Sequence, residues 1–204
     1  MIDDKRYERV RGLVRECNRA RKKQTKQIDV LCNGLIGAQR SFMHRLDEIA
    51  FAAGFYEAIV GRRNVDELLA AVGGFVRAEL GELGLSIFVR RASSFEVHSV
   101  MLESDKDGRE FVDAVSEGIA QEVCENSRVM GLEELPGLGL EYDPVRLGRL
   151  SGYCVPVRRG MEGAGFVIVT GKCGQLKRGD AGKIEQVGTG LLRALESCEI
   201  TMGS

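Results

Sequence analysis

The chain has 204 residues, 44% of them hydrophobic and 29% charged, a balance typical of one globular core and not of a disordered chain. Its 29 Lys and Arg against 30 Asp and Glu give a formal net charge of −1, so it lacks the overall basic excess of a dedicated nucleic-acid coat or membrane-surface binder. No stretch approaches the roughly 20 apolar residues of a membrane span, and no apolar signal region follows Met1. We therefore expect a cytoplasmic protein without a membrane partner.

The cysteines and histidines do not have the spacing of metal ligands. No Cys-x-x-Cys occurs among the six cysteines, and the two histidines, His44 and His98, are far apart in the chain. Zinc sites need closely spaced pairs of such ligands. We predict reduced cysteines and no metal site.

Charge is distributed unevenly along the chain. Residues 1–40 carry eleven basic and five acidic groups, a local charge of +6, whereas residues 101–143 carry twelve carboxylates and three basic groups, a local charge of −9. The densest basic run, from Arg19 to Lys26, has the composition of a site for nucleic acid or another anionic partner. A solvated helix face explains such a run without any partner, and on this ground we do not predict nucleic-acid binding.

One heptad register extends over the first 56 residues. Its a positions are Tyr7, Val14, Arg21, Ile28, Leu35, Phe42, Ile49 and Tyr56, and its d positions are Val10, Cys17, Gln24, Leu31, Ala38, Arg45 and Ala52. Apolar a and d positions are typical of a helix that pairs along a narrow seam. Four glycines weaken the helix by roughly 1 kcal/mol each, so the pattern allows one continuous helix or two pieces. We predict a coiled-coil-like helix over residues 1–47.

After residue 60 the predicted order is a helix, a strand pair, a helix, an irregular segment, a second strand pair and a closing helix. Asn64 can cap a helix whose apolar stripe extends to Leu80, and two hairpins are predicted, over 85–90 with 95–102 and over 152–157 with 165–170. Between the hairpins lie a helix and an irregular segment over 128–150. The helix carries an apolar stripe of Phe111, Val115, Ile119 and Val123. A closing helix follows Asp180, with a stripe of Ile184, Val187, Leu191, Leu195 and Cys198. Paired strands and segregated helices indicate an α+β fold.

Residues 48–200 resemble a GAF domain. The resemblance rests on the run NVDELLAAVGGFVRAEL before LSIFVRR, on the closing segment from Gly152 to Leu195, and most specifically on Pro156 and Gly165-Phe166. It implies an antiparallel sheet of about six strands, with the terminal helices on one face and a helix and loop covering a small-molecule pocket on the other. Members are commonly sensory or regulatory modules that dimerise through terminal helices. A related PAS sensor module stays an alternative.

The family's known ligands find no match here. The chain lacks the motif of cyclic-nucleotide-binding members and the cysteine-histidine context that attaches a bilin, so no cofactor is identified. One GAF-like enzyme class reduces free methionine sulfoxide with clustered cysteines. Cys124 and Cys154 can meet across such a pocket, but the clustered signature is absent. Nucleophile-elbow, dinucleotide-loop and phosphate-loop patterns each fail at a required position. We therefore predict no enzymatic activity.

Five residues are candidates for the pocket, and each also has a structural explanation. His98, near Glu96, can bind a polar ligand if its strand face points to the pocket, or it can be a surface histidine. A cysteine buried in a strand is commonly an inert thiol, and an aromatic there is commonly core. The candidate pocket residues are Phe88, His98, Phe111, Val115 and Cys154.

The sequence predicts a homodimer held by helices from both chain ends. Its seam consists of Ile28, Leu31, Leu35, Phe42, Ile49, Leu191 and Leu195. Parallel copies would bring the basic runs together, so parallel and antiparallel arrangements both stay open. We expect a sensory domain that binds a small molecule or partner and signals to an output domain through these helices. The alternative is a ligand-free dimerisation or scaffold module whose pocket is filled by its own side chains.

Overall fold

The computed structural model describes residues 2–92, 94–100, 105–126 and 128–202. The chain divides into two compact units, Met1–Asp47 and Glu48–Ser204. Helix α1 (Ile2–Ile59) is continuous through Gly12, Gly34 and Gly37 and contributes residues 48–59 to the second unit. Of the helices described, none has an apolar stretch of the length that crossing a bilayer requires.

The second unit continues with α2 (Val65–Leu80), β1 (Gly84–Arg91), β2 (Ser94–Val100), α3 (Lys106–Asp113), α4 (Glu117–Glu125), β3 (Met130–Gly131), α5 (Pro144–Leu147), β4 (Leu150–Arg159), β5 (Glu162–Lys172) and α6 (Arg178–Met202). A 3-10 helix spans Leu132–Leu138. The predicted cap of α2 is confirmed, because the Asn64 side chain accepts a hydrogen bond from the Glu67 backbone N–H at 2.8 Å.

The sheet has the order β2-β1-β5-β4-β3, with antiparallel neighbours throughout. Both predicted hairpins are confirmed as β1–β2 and β4–β5, although Met101 and Leu102 lie outside the described residues. Over the described ranges the sheet has five strands, one fewer than the resemblance implies. The irregular segment adds only the two-residue β3, because the chain then enters the 3-10 helix around Pro136, which has no N–H for a strand ladder.

Each face of the sheet carries its own apolar cluster. The first face is covered by α2, α6 and residues 51–59 of α1, and the second by α3, α4 and the 3-10 helix. Terminal helices on one face and a helical cover on the other are the layers that the resemblance implies. Each large side chain buried in these clusters contributes roughly 1.5–3 kcal/mol to folding.

The cover of the second face differs from the single helix predicted over residues 111–123. It consists of α3 and α4, which are separated at Ala114–Ser116. The hydroxyl of Ser116 accepts a hydrogen bond from the Ile119 backbone N–H at 3.5 Å, so Ser116 caps a new helix within the apolar stripe. Phe111 and Val123 nevertheless belong to the same buried cluster.

Gly165 allows β1 and β5 to approach closely. A Cβ atom at this position would lie 2.1 Å from the backbone oxygen of Phe88, a rigid part of the neighbouring strand. A side chain at position 165 would therefore force the backbone of one strand to shift, which explains the glycine before Phe166 in physical terms.

Candidate functional site

An open cleft of about 1040 Å³ lies where β5 ends and β4 begins. One wall comes from the start of α3 and from α5, and the other from the ends of the two strands. The lining includes four acidic and four basic residues: Glu82, Asp105, Asp107, Glu110, Lys106, Arg146, Arg149 and Lys172.

Asp105 joins the α3 wall to the sheet. Its Oδ1 accepts a hydrogen bond from the Gly108 backbone N–H at 2.9 Å, so it caps α3, and its Oδ2 accepts one from the Thr170 hydroxyl at 3.4 Å. Thr170 is fully buried in β5. Because Asp105 provides a partner for a buried polar group, it helps to hold this wall in place.

Arg146 of α5 joins the two helices of the same wall. Its guanidinium forms an ion pair with Glu110 and lies 3.8 Å from Oδ1 of Asp107. The Tyr142 hydroxyl donates to the backbone oxygen of Asp107 at 3.0 Å, and burial, together with nearby carboxylates, raises the pKa of Tyr142. The acidic groups facing α5 are thus largely paired.

The opposite wall presents two cations, Arg149 and Lys172. Leu150 pairs with Lys172 in the β4–β5 ladder, and the Cys173 backbone N–H donates to the Arg149 backbone oxygen at 2.9 Å. Arg149 and Lys172 therefore lie at the same end of the β4–β5 pair, and both line the cleft. Neither side chain forms an ion pair with a carboxylate in the described part of the chain. Two cations that line one cleft without an ion pair among the described residues suit the carboxylate or phosphate of a small molecule.

Gln175 fixes the turn below these cations. Its side-chain oxygen accepts a hydrogen bond from the Lys172 backbone N–H at 3.1 Å, and its side-chain nitrogen donates to the Glu82 backbone oxygen at 2.9 Å. The turn leads directly into α6, which begins at Arg178. The floor of the cleft is therefore continuous with the closing helix.

The sequence analysis did not identify Arg149 or Lys172 as site residues. The signal was present, because Gly148-Arg149 precedes one strand of the predicted hairpin and Lys172-Cys173 follows the other. The ends of antiparallel strands meet, so the register of the hairpin brings these residues together. Regarding metals, no group of three His, Cys, Asp or Glu among the described residues is placed to hold an ion.

Four of the five candidate pocket residues come together on the second face of the sheet, away from the open cleft. Phe88, Phe111 and Cys154 are buried in the cluster beneath α3 and α4, and Val115 packs against it. Burial raises the pKa of the Cys154 thiol, and the nearby Glu134 and Glu133 carboxylates raise it further. These side chains fill the space where the resemblance implies a pocket. Their role in ligand binding stays a prediction.

His98 lies on the other face of the sheet. It pairs with Ile87 in the β1–β2 ladder, and directly paired residues point to the same face. Ile87 belongs to the cluster beneath the terminal helices, so His98 is separated by the sheet from the other four candidates. Its Nε2 lies 3.4 Å from Oε1 of Glu96.

The predicted seam residues divide into two groups. Those of α1 are all exposed, with exposed fractions of 57–72%, and they are Ile28, Leu31, Leu35, Phe42 and Ile49. Leu191 and Leu195 of α6 are instead buried in the core of the second unit. Their assignment to a dimer seam is therefore corrected, because their apolar stripe already packs within the chain.

Comparisons with known proteins concern the fold. No protein-family model matches the chain, and no curated protein matches it. Similar solved structures include the GAF domain of nlh2 from A. aeolicus in an inactive state, with 15% identity over 79% of this chain and 99% of that chain, and a TM-score of 0.46.

Two further similar structures share 8% identity with this chain. One is the GAF domain of a phosphoenolpyruvate-protein phosphotransferase (ptsP) from Coxiella burnetii, with coverage of 78% of this chain and 98% of that chain and a TM-score of 0.49. The other is fRMsr of Staphylococcus aureus in complex with its substrate, with coverage of 72% and 95% and a TM-score of 0.47.

The layer arrangement of the second unit is the one that the sequence resemblance implies. Its antiparallel sheet carries the terminal helices on one face and a helical cover on the other. The unit Glu48–Ser204 has a GAF-like fold.

Proposed function

We propose that the chain is a homodimeric regulatory module of the cytoplasm. The GAF-like unit binds a small anionic molecule in the cleft beside Arg149 and Lys172, and α1 joins two copies along one apolar stripe. Ligand binding shifts the equilibrium between two packing arrangements of the helices and so changes the activity of an output domain or signalling partner. The observation that carries the proposal is the presence of two cations, neither of them ion-paired within the described ranges, at a cleft that is continuous with α6.

A direct physical connection extends from the cleft to α1 within the second unit. The turn at Gln175 leads into α6, and α6 packs against the last turns of α1. Lys183 lies 5.5 Å from the ring centre of Phe51, and a Cβ on Gly190 would lie 2.3 Å from the ring of Tyr56. A shift of the turn would therefore move a helix that is in close contact with α1.

The occupant proposed for the exposed stripe of α1 is a second copy of this chain. The stripe consists of Ile28, Leu31, Leu35, Phe42 and Ile49, which we call the seam. A heptad with apolar a and d positions is self-complementary, because identical stripes on two helices interdigitate. Burying each large seam side chain is worth roughly 1.5–3 kcal/mol, which favours association.

The seam is tested by placing two aspartates either on it or at exposed apolar positions outside it. Leu35→Asp with Phe42→Asp places two charges on the seam and should give a monomer by light scattering. The matched control is Val30→Asp with Ile36→Asp, at exposed apolar positions beside the seam, and should stay dimeric. A dimer that survives the first pair of substitutions, or is lost in the control, would show that the seam is placed wrongly.

Cys17 tests the orientation of the two copies, which we propose to be parallel. It occupies a d position, so parallel copies in register bring the two thiols opposite each other. Mild oxidation should then produce a covalent dimer that Cys17→Ser abolishes and Cys32→Ser does not. Absence of this cross-link in a dimer of correct mass would indicate an antiparallel arrangement.

The cleft is tested by identifying small molecules that co-purify with the native protein, using mass spectrometry. We expect a carboxylate- or phosphate-bearing molecule that is lost in Arg149→Gln with Lys172→Gln. The control is Lys177→Gln, at an exposed lysine outside the cleft lining. Retention of the molecule in the double variant would overturn the assignment of the cleft.

The alternative function is a ligand-free dimerisation module, and one observation favours it. The cluster of Phe88, Phe111 and Cys154 leaves the second face packed by the chain's own side chains. If no small molecule co-purifies and phosphate and succinate both leave the melting temperature unchanged, this alternative replaces the ligand-binding half of the proposal. The dimer is judged separately by its mass.

A further inference from the structure

The N-terminal part of α1 carries a row of cations that the proposed regulatory function does not use. Between residues 6 and 26 there are nine basic residues and two carboxylates, Glu8 and Glu16, a net charge of +7. All of these side chains are exposed. Not one of the nine basic groups forms an ion pair within the described ranges of the chain.

Five of these cations form a stripe along one side of the helix. Their spacings of 4, 4, 3 and 4 residues keep them on one face, and they are Arg11, Arg15, Arg19, Lys22 and Lys26. At a rise of about 1.5 Å per residue the stripe is about 22 Å long. It lies beside the a and d positions rather than on them, so pairing of two helices leaves it accessible.

We propose that this segment binds double-stranded DNA through its phosphates. The inference rests on the proposed parallel dimer, which brings two such segments together at the same end of the seam. The cations of the two segments repel each other at such short distances. A polyanion that lies between or beside the segments removes this repulsion.

The geometry favours duplex DNA over the other polyanions. The major groove of B-form DNA admits an α-helix, whereas that of A-form RNA is too deep and narrow. A helix that lies on an anionic membrane must bury its apolar face in lipid. In this segment the apolar a and d positions, Tyr7, Val10, Val14 and Cys17, continue the heptad of the seam and would be covered when two copies pair. The same surface does not serve both purposes, so the membrane is the less favoured partner.

The test measures binding of a fluorescent 30-base-pair duplex by anisotropy over a range of salt concentrations, with the full chain. We expect binding that weakens steeply with salt. Arg15→Gln, Arg19→Gln and Lys22→Gln together remove six cations from a dimer, which should weaken binding at least tenfold and reduce the salt slope by about 5. The control triple variant, Lys177→Gln, Arg178→Gln and Arg193→Gln, removes the same charge from exposed positions on the second unit and should bind like the unsubstituted chain.

Three results would overturn the inference. They are absence of duplex binding by a dimeric chain, equal losses in both triple variants, and binding to phosphatidylserine vesicles without binding to the duplex. Light scattering on the same samples distinguishes the dimer proposal from the DNA proposal, because a dimer that does not bind DNA refutes only the DNA proposal. A chain that is monomeric in every condition refutes the dimer itself.

Discussion

Phe88 of β1 lies flat against Phe166 of β5, with ring centroids 4.3 Å apart and ring planes inclined by 12°. Phe95 also contacts Phe166, in a T-shaped arrangement with 5.8 Å between ring centroids. The stack lies in the centre of the second face, beneath the helical cover. The three aromatic rings therefore fill the region where the resemblance to a GAF domain implies a ligand pocket.

The first prediction concerns the stability that this stack provides. Phe166 is fully buried, so Phe166→Ala should lower the free energy of unfolding by about 3–5 kcal/mol in urea titrations, through lost burial and the cavity left behind. Met161→Ala, at a side chain that is 87% exposed, should change it by less than about 0.5 kcal/mol. A small effect at Phe166 would mean that this face is loosely packed and able to open to a ligand.

The second prediction compares two glycine substitutions. Gly165→Ala places a methyl group against the Phe88 backbone and should destabilise the protein by about 1–3 kcal/mol. Gly182→Ala, in α6, meets no atom within 4 Å and should stabilise it by about 0.5–1 kcal/mol through helix propensity. Thermal unfolding should move in opposite directions for the two variants, and a shared direction would contradict the packing of β1 on β5.

The third prediction concerns acid stability. The Arg128 guanidinium and then the Gly131 backbone N–H donate to the Glu134 carboxylate and hold its pKa below the usual range. A carboxyl group whose pKa is lowered by folding stabilises the protein above its unfolded pKa, and this contribution is lost as pH falls through the folded value. The melting-temperature difference between the unsubstituted chain and Glu134→Gln should therefore be constant near pH 6 and shrink below about pH 4.3.

Glu141→Gln is the control for this titration, because it removes an exposed carboxylate. It should leave the pH profile of the melting temperature almost unchanged. If the Glu134 variant retains its full melting-temperature difference at pH 3, the interaction with Arg128 does not stabilise the folded state.

The fourth prediction concerns thiol chemistry. Cys32 and Cys173 are exposed and should react rapidly with a thiol reagent, whereas Cys124, Cys154 and Cys198 are buried and should react only on unfolding. The raised pKa of Cys154 further suppresses the thiolate that acts as the nucleophile. We accordingly expect no thiol-dependent reduction of free methionine sulfoxide. Turnover that disappears in Cys154→Ser would contradict this expectation.

The fold was predictable from local signals, and the site was not. Alternating apolar residues identified both hairpins, and Asn64 identified the start of α2, because each signal depends on near neighbours in sequence. The cleft depends on pairing between residues such as Arg149 and Cys173, which the register of β4 and β5 determines. Similarly, the face occupied by His98 depends on strand register, since a shift of one residue reverses every side chain.

The apolar stripes of α1 and α6 also show what the sequence alone does not determine. The stripe of α6 containing Leu191 and the stripe of α1 containing Leu35 both predict burial against a partner. The periodicity does not say whether that partner is the same chain or another copy. In the structure the α6 stripe is covered by the sheet and by α1 residues such as Phe55, whereas Leu35 remains exposed.

The most direct test of the dimer is the molar mass of the unsubstituted chain, measured by light scattering at micromolar concentration. A coiled-coil seam formed by two copies predicts about twice the chain mass of 22.4 kDa. A mass equal to that of one chain across this concentration range would contradict the central claim that the exposed seam of α1 joins two copies.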